Sequence, residues 1–131
     1  MKNSTKNKWF WVWLVQMTVP KESQKNLNAN VEVWKNLIII QAANGEDALT
    51  KALKKGSEEE GDCDDTLRLN GKPATTEFLG VEDIGLIHDE LEDGAEILWR
   101  LRKCRQTSAR KLVKSKKTLL ADLRKELAPI L

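Results

Sequence analysis

Few residues of this chain could do chemistry, and its only histidine, His88, is followed directly by Asp89. An imidazole beside a carboxylate can act as a general base. A histidine in a polar turn is more often an inert surface group, however. A single histidine also excludes a two-histidine zinc motif and a multi-histidine site. We therefore predict no catalytic residue.

Two acidic stretches could supply the oxygen ligands that Mg²⁺ and Ca²⁺ prefer. They run from Glu58 to Asp65 and from His88 to Asp93. Neither stretch has the spacing of a calcium-binding loop, and solvated runs of charge are commoner than metal sites. We predict no metal and no cofactor, and a metal-assisted hydrolase that uses these carboxylates stays open as an alternative function.

The two cysteines, Cys63 and Cys104, lie far apart and match no paired-ligand spacing, so free thiols in a reducing compartment are expected. Carboxylates around Cys63 disfavour its thiolate, whereas Lys103 and Arg105 favour that of Cys104. Neither cysteine has an evident catalytic partner. The glycines are scattered singly, so the sequence contains no glycine-rich phosphate loop.

Charge is distributed unevenly along the 131 residues. Residues 1–45, 46–96 and 97–131 carry net charges of +4, −11 and +9, which together give the +2 of the whole chain. Such a separation creates complementary surfaces, which can meet within the fold, between subunits or with a partner.

The basic residues of the last third could contact phosphate groups or a protein partner. The candidate contact residues are Arg100, Arg102, Lys103, Arg105, Arg110, Lys114 and Lys117. The last three have the spacing of one helix face. No aromatic residue follows Trp99, so the base-stacking platform of single-strand binders is missing. We favour contact with the acidic middle segment, within the monomer or across a subunit interface, over nucleic-acid binding.

Residues 9–19, with three of the five tryptophans, form the element that must position the rest. The odd positions are all apolar, and the even ones turn polar at Gln16 and Thr18. This period of two predicts a β-strand, and its apolar start on both faces predicts an interior one. The run is too short for a transmembrane helix, which needs about 20 apolar residues. We expect the tryptophan side to be core; left without a helix, it would instead mark an interface.

The next segments predict a second strand and a helix. Residues 31–42 are rich in β-branched and aromatic side chains, and they should pair antiparallel with the first strand. Residues 46–55 have the apolar stripe and end charges of a helix that packs on a sheet, with Asn44 as its N-cap.

A hairpin is the clearest local signal after that helix. Asn70-Gly71 between short strand-like segments predicts a type I′ turn, because both residues tolerate positive φ. Residues 80–87 indicate a bend or bulge rather than a clean strand, and residues 95–102 alternate like another strand. The side chains of this last strand expected to point inward are Ile97, Trp99 and Leu101.

The chain as a whole predicts one α+β domain over residues 1–131. It should be a sandwich with a mostly antiparallel sheet of four to five strands and one or two packing helices. Residues 1–8 are expected to be frayed. Residues 106–131 should form a basic helical segment, with one or two amphipathic helices and a break near Ser115 to Thr118.

Several motifs in residues 9–100 resemble those of a small bacterial family known only as a domain of unknown function. They are the opening WFWV, VWKN from Val33, LRLNGKPA from Leu67, and DELEDGAE from Asp89 followed by Trp99. The resemblance implies a compact domain and brings no known activity, cofactor or catalytic residue. The basic tail falls largely outside it.

The sequence thus favours a non-enzymatic interaction module that forms homo-oligomers and binds protein. With free thiols and no targeting segment, we expect it in the cytoplasm and not in a membrane. Nucleic-acid binding through the basic C-terminal segment is the first alternative, and the metal-assisted hydrolase is the second.

Overall fold

β1 (Lys8–Pro20) is the central strand of the sheet. In the computed structural model, which describes residues 7–61 and 65–128, β1 pairs antiparallel with β2 (Glu32–Ala42) on one side and β4 (Lys72–Ile87) on the other. A two-residue strand, β3 (Arg68–Leu69), completes a sheet of four strands within these described residues, in the order β2-β1-β4-β3. The predicted interior first strand and the α+β fold with an antiparallel sheet are confirmed.

The described residues also contain three α-helices, α1 (Gly45–Ser57), α2 (Gln106–Arg110) and α3 (Lys116–Leu127), and a short 3₁₀ helix at Lys21–Ser23. The chain divides into two compact units, Met1–Trp99 and Arg100–Leu131. The first unit contains the sheet and α1, and the second contains α2 and α3. The fold that positions a candidate site in the sheet is therefore that of the first unit.

α1 forms where the sequence predicts a helix, and its predicted cap is present. The Asn44 side-chain oxygen accepts a hydrogen bond from the backbone N–H of Asp47 at 2.9 Å, which satisfies one of the free donors of the first turn. Ala48 and Ala52 are buried, and because they are small they allow α1 to approach the sheet closely. The larger residues of the predicted stripe stay exposed: Leu49 and Leu53.

The core lies on the face of β1 that carries Phe10, Val12 and Leu14, because α1 packs on that face through Ala48 and Ala52. On the opposite face, which we call the tryptophan face, the three β1 indoles are only half-buried. The prediction that the tryptophan side forms the core is therefore wrong. An indole under α1 would hold the helix away from the sheet, whereas the smaller side chains pack against alanine without leaving a void.

β3 and β4 form the predicted hairpin. Asn70 and Gly71 have φ values of 53° and 81°, the left-handed values that a type I′ turn requires. β4 then continues without a break to Ile87, although its register with β1 shifts twice. Each shift leaves one extra residue in β4, at Leu79 and at Glu82. The bulge at Glu82 lies within residues 80–87, where the sequence indicates a bend or bulge.

Residues 95–102 do not form a strand, so that prediction is wrong. Their backbone is irregular, and two side chains expected to point inward, Trp99 and Leu101, are 70% and 76% exposed. Ile97 is half-buried. A strand that follows β4 directly would pair with the adjacent outer edge of β4, and the two bulges make that edge irregular. Alternation of apolar and polar residues cannot supply that missing partner.

The second unit consists of two short helices joined by residues 111–115. Ser115 caps α3, since its hydroxyl accepts the backbone N–H of Thr118 at 3.2 Å. Every described residue of this unit is exposed, and these include four leucines of α3: Leu119, Leu120, Leu123 and Leu127. The helix break falls near Ser115, as the sequence indicates.

Some predicted features fall outside the described residues. Of the segment 1–8, only Asn7 and Lys8 are described, and β1 begins at Lys8. Residues 62–64, which include Cys63, lie outside the described residues, and so do residues 129–131 at the end of the basic segment. The predictions made for these residues stay predictions.

Candidate functional site

The most accessible apolar patch of the sheet lies on its end strand, β2. Four large apolar residues of β2 are at least 40% exposed: Val33 (54%), Trp34 (53%), Leu37 (40%) and Ile39 (43%). We call these four residues the β2 flank. The register with β1 puts Val33, Leu37 and Ile39 on the tryptophan face and Trp34 on the face that carries α1. The β2 flank is thus exposed on both faces of the sheet, and exposed apolar patches mark contact surfaces.

The adjacent strand shows why the β2 flank is exposed. β1 has a strand on each side, and it contains no exposed residue from Trp9 to Pro20. β2 has a strand on one side only, and most of its residues are exposed. α1 contacts both strands, so helix cover does not explain the contrast. The difference is the neighbouring strand that β1 has and β2 lacks.

A small cleft borders the tryptophan face at the end of β4. Trp11 packs over Gly85, where a Cβ atom would overlap the indole ring. The two residues line a cavity of about 190 Å³ together with the chain that follows β4. The other side chains around it include His88, Asp89, Glu96 and Trp99.

His88 and Asp89 lie in this cleft, where Asp89 has a structural contact. One carboxylate oxygen of Asp89 accepts the backbone N–H of Glu96 at 3.1 Å, which holds the turn after β4. His88 is exposed. The described lining contains no serine, threonine or cysteine that could serve as a nucleophile for covalent catalysis. The prediction that His88 is an inert surface residue stays a prediction.

Within residues 7–61 and 65–128, no three potential metal ligands of the histidine, cysteine or carboxylate type are grouped. Two carboxylates of the acidic stretches make structural contacts instead. Glu60 accepts the backbone N–H of Phe78 at 3.0 Å, and Asp65 lies 2.9 Å from the ammonium group of Lys21. Both contacts hold the chain around the hairpin to the rest of the first unit.

Ion pairs in the first unit join distant segments of the chain. Three of them are Lys21–Asp65 (2.9 Å), Lys35–Glu82 (2.9 Å) and Lys72–Glu22 (2.8 Å). The hydrogen bond from its ammonium group to the Glu22 carboxylate raises the pKa of Lys72 above its ordinary value. Lys35 on β2 and Glu82 on β4 lie on either side of β1, so their ion pair crosses the central strand. Exposed pairs of this kind contribute little to stability.

The seven candidate cations of the second unit lie before α2, in α2, between the two helices and in α3. Arg100, Arg102, Lys103 and Arg105 lie in the irregular segment before α2, Arg110 ends α2, Lys114 lies between the helices, and Lys117 lies in the first turn of α3. The last three do not share one helix, so the prediction of a common helix face is wrong. The helix break near Ser115 separates them.

Local contacts already engage part of this positive charge. The Arg110 guanidinium donates to the Gln106 side-chain oxygen at 3.2 and 3.3 Å, and the Lys114 ammonium lies 3.8 Å from the Asp122 carboxylate. Cys104 is a free, exposed thiol between Lys103 and Arg105. The unit therefore presents an accessible positive surface that includes one exposed thiol.

A family model described as "Domain of unknown function (DUF4288)" matches residues 9–99, which is more than half of the chain. The chain belongs to the DUF4288 family. The resemblance to a family of unknown function noted from the sequence motifs is thereby confirmed. The DUF4288 match ends at Trp99, the residue that also ends the first compact unit. The basic second unit lies outside it.

The other comparisons with known proteins gave no significant match, either among curated proteins or among solved structures. Within the described part of the chain, no helix has the length and apolar character needed to cross a membrane.

Proposed function

We propose that the DUF4288 unit is a non-enzymatic protein-interaction module, with a second copy of itself as a partner. The observation that carries this proposal is the β2 flank, four apolar side chains that an ordered end strand presents to solvent on both faces. The free thiol of Cys104 suits a reducing compartment, so we place this activity in the cytoplasm.

A second copy fits the β2 flank better than a charged partner would. The flank itself is uncharged, and the only charged residues of β2 are Glu32 and Lys35, near its first end. A strongly acidic or basic partner would find almost no complementary charge there. Another β2 flank offers the same uncharged, apolar surface, and a two-fold contact between identical patches is the commonest form of oligomer.

The double substitution Val33→Lys and Ile39→Lys should weaken self-association by roughly tenfold or more. An ammonium group buried without a partner loses its hydration, and about 1.4 kcal/mol corresponds to a tenfold change in the dissociation constant. Both side chains are exposed in the free unit, so its fold should be kept. Size-exclusion chromatography with light scattering at micromolar protein measures the change in mass.

Leu27→Lys is the matched control, because Leu27 is 98% exposed in the loop between β1 and β2. It adds the same charge to an apolar site outside the flank and should leave the mass of the oligomer unchanged. A wild-type chain that stays monomeric at high micromolar concentration would contradict the proposal. So would a flank variant that associates as strongly as the control.

Nucleic-acid binding through the second unit is a second candidate function. Its support is the net charge of +9 over residues 97–131, together with the exposure of all the described cations in that segment. Clustered exposed cations bind phosphate backbones by releasing condensed counterions. The basic surface is also complementary to the acidic middle segment of a second copy, and salt weakens both kinds of contact. Binding to added nucleic acid and self-association of the chain alone, measured separately, distinguish the two possibilities.

The pair Arg102→Gln and Arg105→Gln should weaken binding to duplex DNA if this second function holds. Affinity falls as salt rises, and each phosphate contact contributes about 0.9 to the steepness of log affinity against log salt. Loss of two contacts should therefore make this dependence shallower by about 1.8. Fluorescence anisotropy across a salt series measures the slope. Lys25→Gln with Lys54→Gln removes the same charge from the first unit and should leave the slope unchanged. Absence of salt-sensitive binding to DNA and RNA by the wild-type chain would remove this candidate.

A further inference from the structure

Among residues 7–61 and 65–128, no strand pairs with the outer edge of β2, and that edge is regular. All eleven residues of β2 pair with β1 without a register shift, and none of them is proline or glycine. The last seven residues, 36–42, contain no charged side chain. A long, regular and apolar strand at the end of a sheet presents unpaired backbone N–H and C=O groups, which readily accept another strand.

The other side of the same sheet is protected in several ways. β4 carries two bulges, contains Pro73, Gly80 and Gly85, and adds the charges of Glu77, Glu82 and Asp83. Its outer side is also occupied. Gly61 exchanges two backbone hydrogen bonds with Thr76, and the Glu60 carboxylate accepts the N–H of Phe78.

These protective features are the ones by which natural sheets avoid pairing at an edge. Their presence on β4 and their absence from β2 indicate that one edge is closed to association and the other is suited to it. The exposure of β2 on both faces agrees, because a strand added at this edge would flank its side chains on both faces at once. A partner that covered only the tryptophan face would leave Trp34 exposed on the face that carries α1.

We infer that β2 pairs antiparallel with β2 of a second copy about a two-fold axis at Leu37, which joins the two sheets into one of eight strands. This inference rests on the proposed self-association and specifies its geometry. Centring the pair at Leu37 aligns all eleven residues of β2, whereas a centre at Asn36 or Ile38 aligns nine.

Side-chain pairing also favours this register. With Leu37 opposite itself, Trp34 faces Ile40 of the second copy, an aromatic and β-branched pair of the kind that stabilises antiparallel strands. Lys35 then faces Ile39, and no like charges are opposed. A centre at Lys35 would instead place two ammonium groups directly opposite each other, which is unfavourable. In the favoured register, the two tryptophan faces lie side by side on the same face of the joined sheet.

The inferred register predicts a charge rescue at position 37. Leu37→Lys and Leu37→Glu each oppose like charges across the axis, so each variant alone should be monomeric at concentrations where the wild-type chain is dimeric. An equal mixture should recover the dimer, because lysine then faces glutamate, and the recovered dimer should weaken as salt is added. Light scattering of the two variants and their mixture measures this result. Leu37 is 40% exposed, so neither change removes a core side chain.

Position 39 provides a check on register, because Ile39 faces Lys35 of the second copy. Ile39→Glu should keep the dimer and Ile39→Lys should weaken it. Hydrogen exchange of the wild-type chain gives an independent measurement. Protection of β2 amides should fall on dilution while protection of β4 amides stays constant.

The outcomes separate this inference from the proposed function. A wild-type monomer overturns both. A wild-type dimer with β2 exchange that does not depend on concentration, or with both Leu37 variants still dimeric, overturns only the edge pairing and places self-association elsewhere. Monomeric Leu37 variants that fail to associate when mixed overturn the register centred at Leu37.

Discussion

Leu14→Ala should lower the free energy of unfolding by about 2–5 kcal/mol. Leu14 is 5% exposed and packs in the cluster with Val12 and Ala52, between β1 and α1. Truncation removes the transfer free energy of three carbon atoms and leaves a cavity that the sheet and helix can close only partly. Urea unfolding followed by circular dichroism measures the change, at protein concentrations low enough for the chain to be monomeric.

Leu79→Ala is the matched control for this measurement. The substitution removes the same side-chain volume from a strand residue as Leu14→Ala does. Leu79, however, lies at a bulge of β4 and is 52% exposed. We expect a loss of less than about 1 kcal/mol, since surface substitutions remove little buried area. Equal losses for the two variants would contradict the assignment of the core to the face under α1.

The assignment of the core is also where sequence reasoning fell short. The first half of β1 is apolar on both faces, so its period identifies a strand without showing which face is buried. Three tryptophans made their face the larger hydrophobic surface and hence the expected core. The deciding information lies outside β1, in the small residues Ala48 and Ala52 of α1, which pack closely on Phe10, Val12 and Leu14. The size of the residues on the helix that covers the sheet decides which face is buried, and the period of β1 carries no information about it.

Local signals proved more predictive. The Asn44 cap, the turn at Asn70-Gly71 and the bulged stretch near Glu82 each depend on backbone conformations that a few neighbouring residues determine, and each was predictable from the sequence. Residues 95–102 have an equally clear alternation, yet a strand requires a partner edge, and pairing is not encoded within the segment itself. Local chemistry was therefore sufficient for turns and caps and insufficient for sheet membership.

The candidate site shows the same division. Val33, Leu37 and Ile39 were recognisable as strand residues, but their exposure depends on the sheet order that makes β2 an end strand. Sequence reasoning expected an apolar patch wherever part of the sheet lacked cover, without locating that uncovered part on β2. The asymmetry of charge was readable directly, since composition requires no fold. The separation of Arg110 from Lys117 by the break near Ser115 required the positions of the two helices.

Gly56→Ala should destabilise the first unit by about 1–3 kcal/mol, although alanine is the better helix former. Gly56 lies in the last turn of α1, and a Cβ atom built there would overlap the ring of Phe78 on β4. The helix-propensity gain of up to about 1 kcal/mol is smaller than the cost of displacing an aromatic ring in a packed interface. Close approach of α1 to the sheet thus requires a residue without a side chain at this position.

Gly45→Ala tests this explanation within the same helix, because a Cβ atom at Gly45 would meet nothing within 4 Å. It should leave stability unchanged or raise it slightly. Phe78→Leu should then make Gly56→Ala neutral or favourable, because the smaller side chain leaves room for the added methyl group, and a double-mutant cycle in urea measures that coupling. If Gly56→Ala stabilised the unit as much as Gly45→Ala did, the space between α1 and β4 would accommodate a methyl group at position 56 without cost. The contact between α1 and β4 would then not be what sets the distance between helix and sheet.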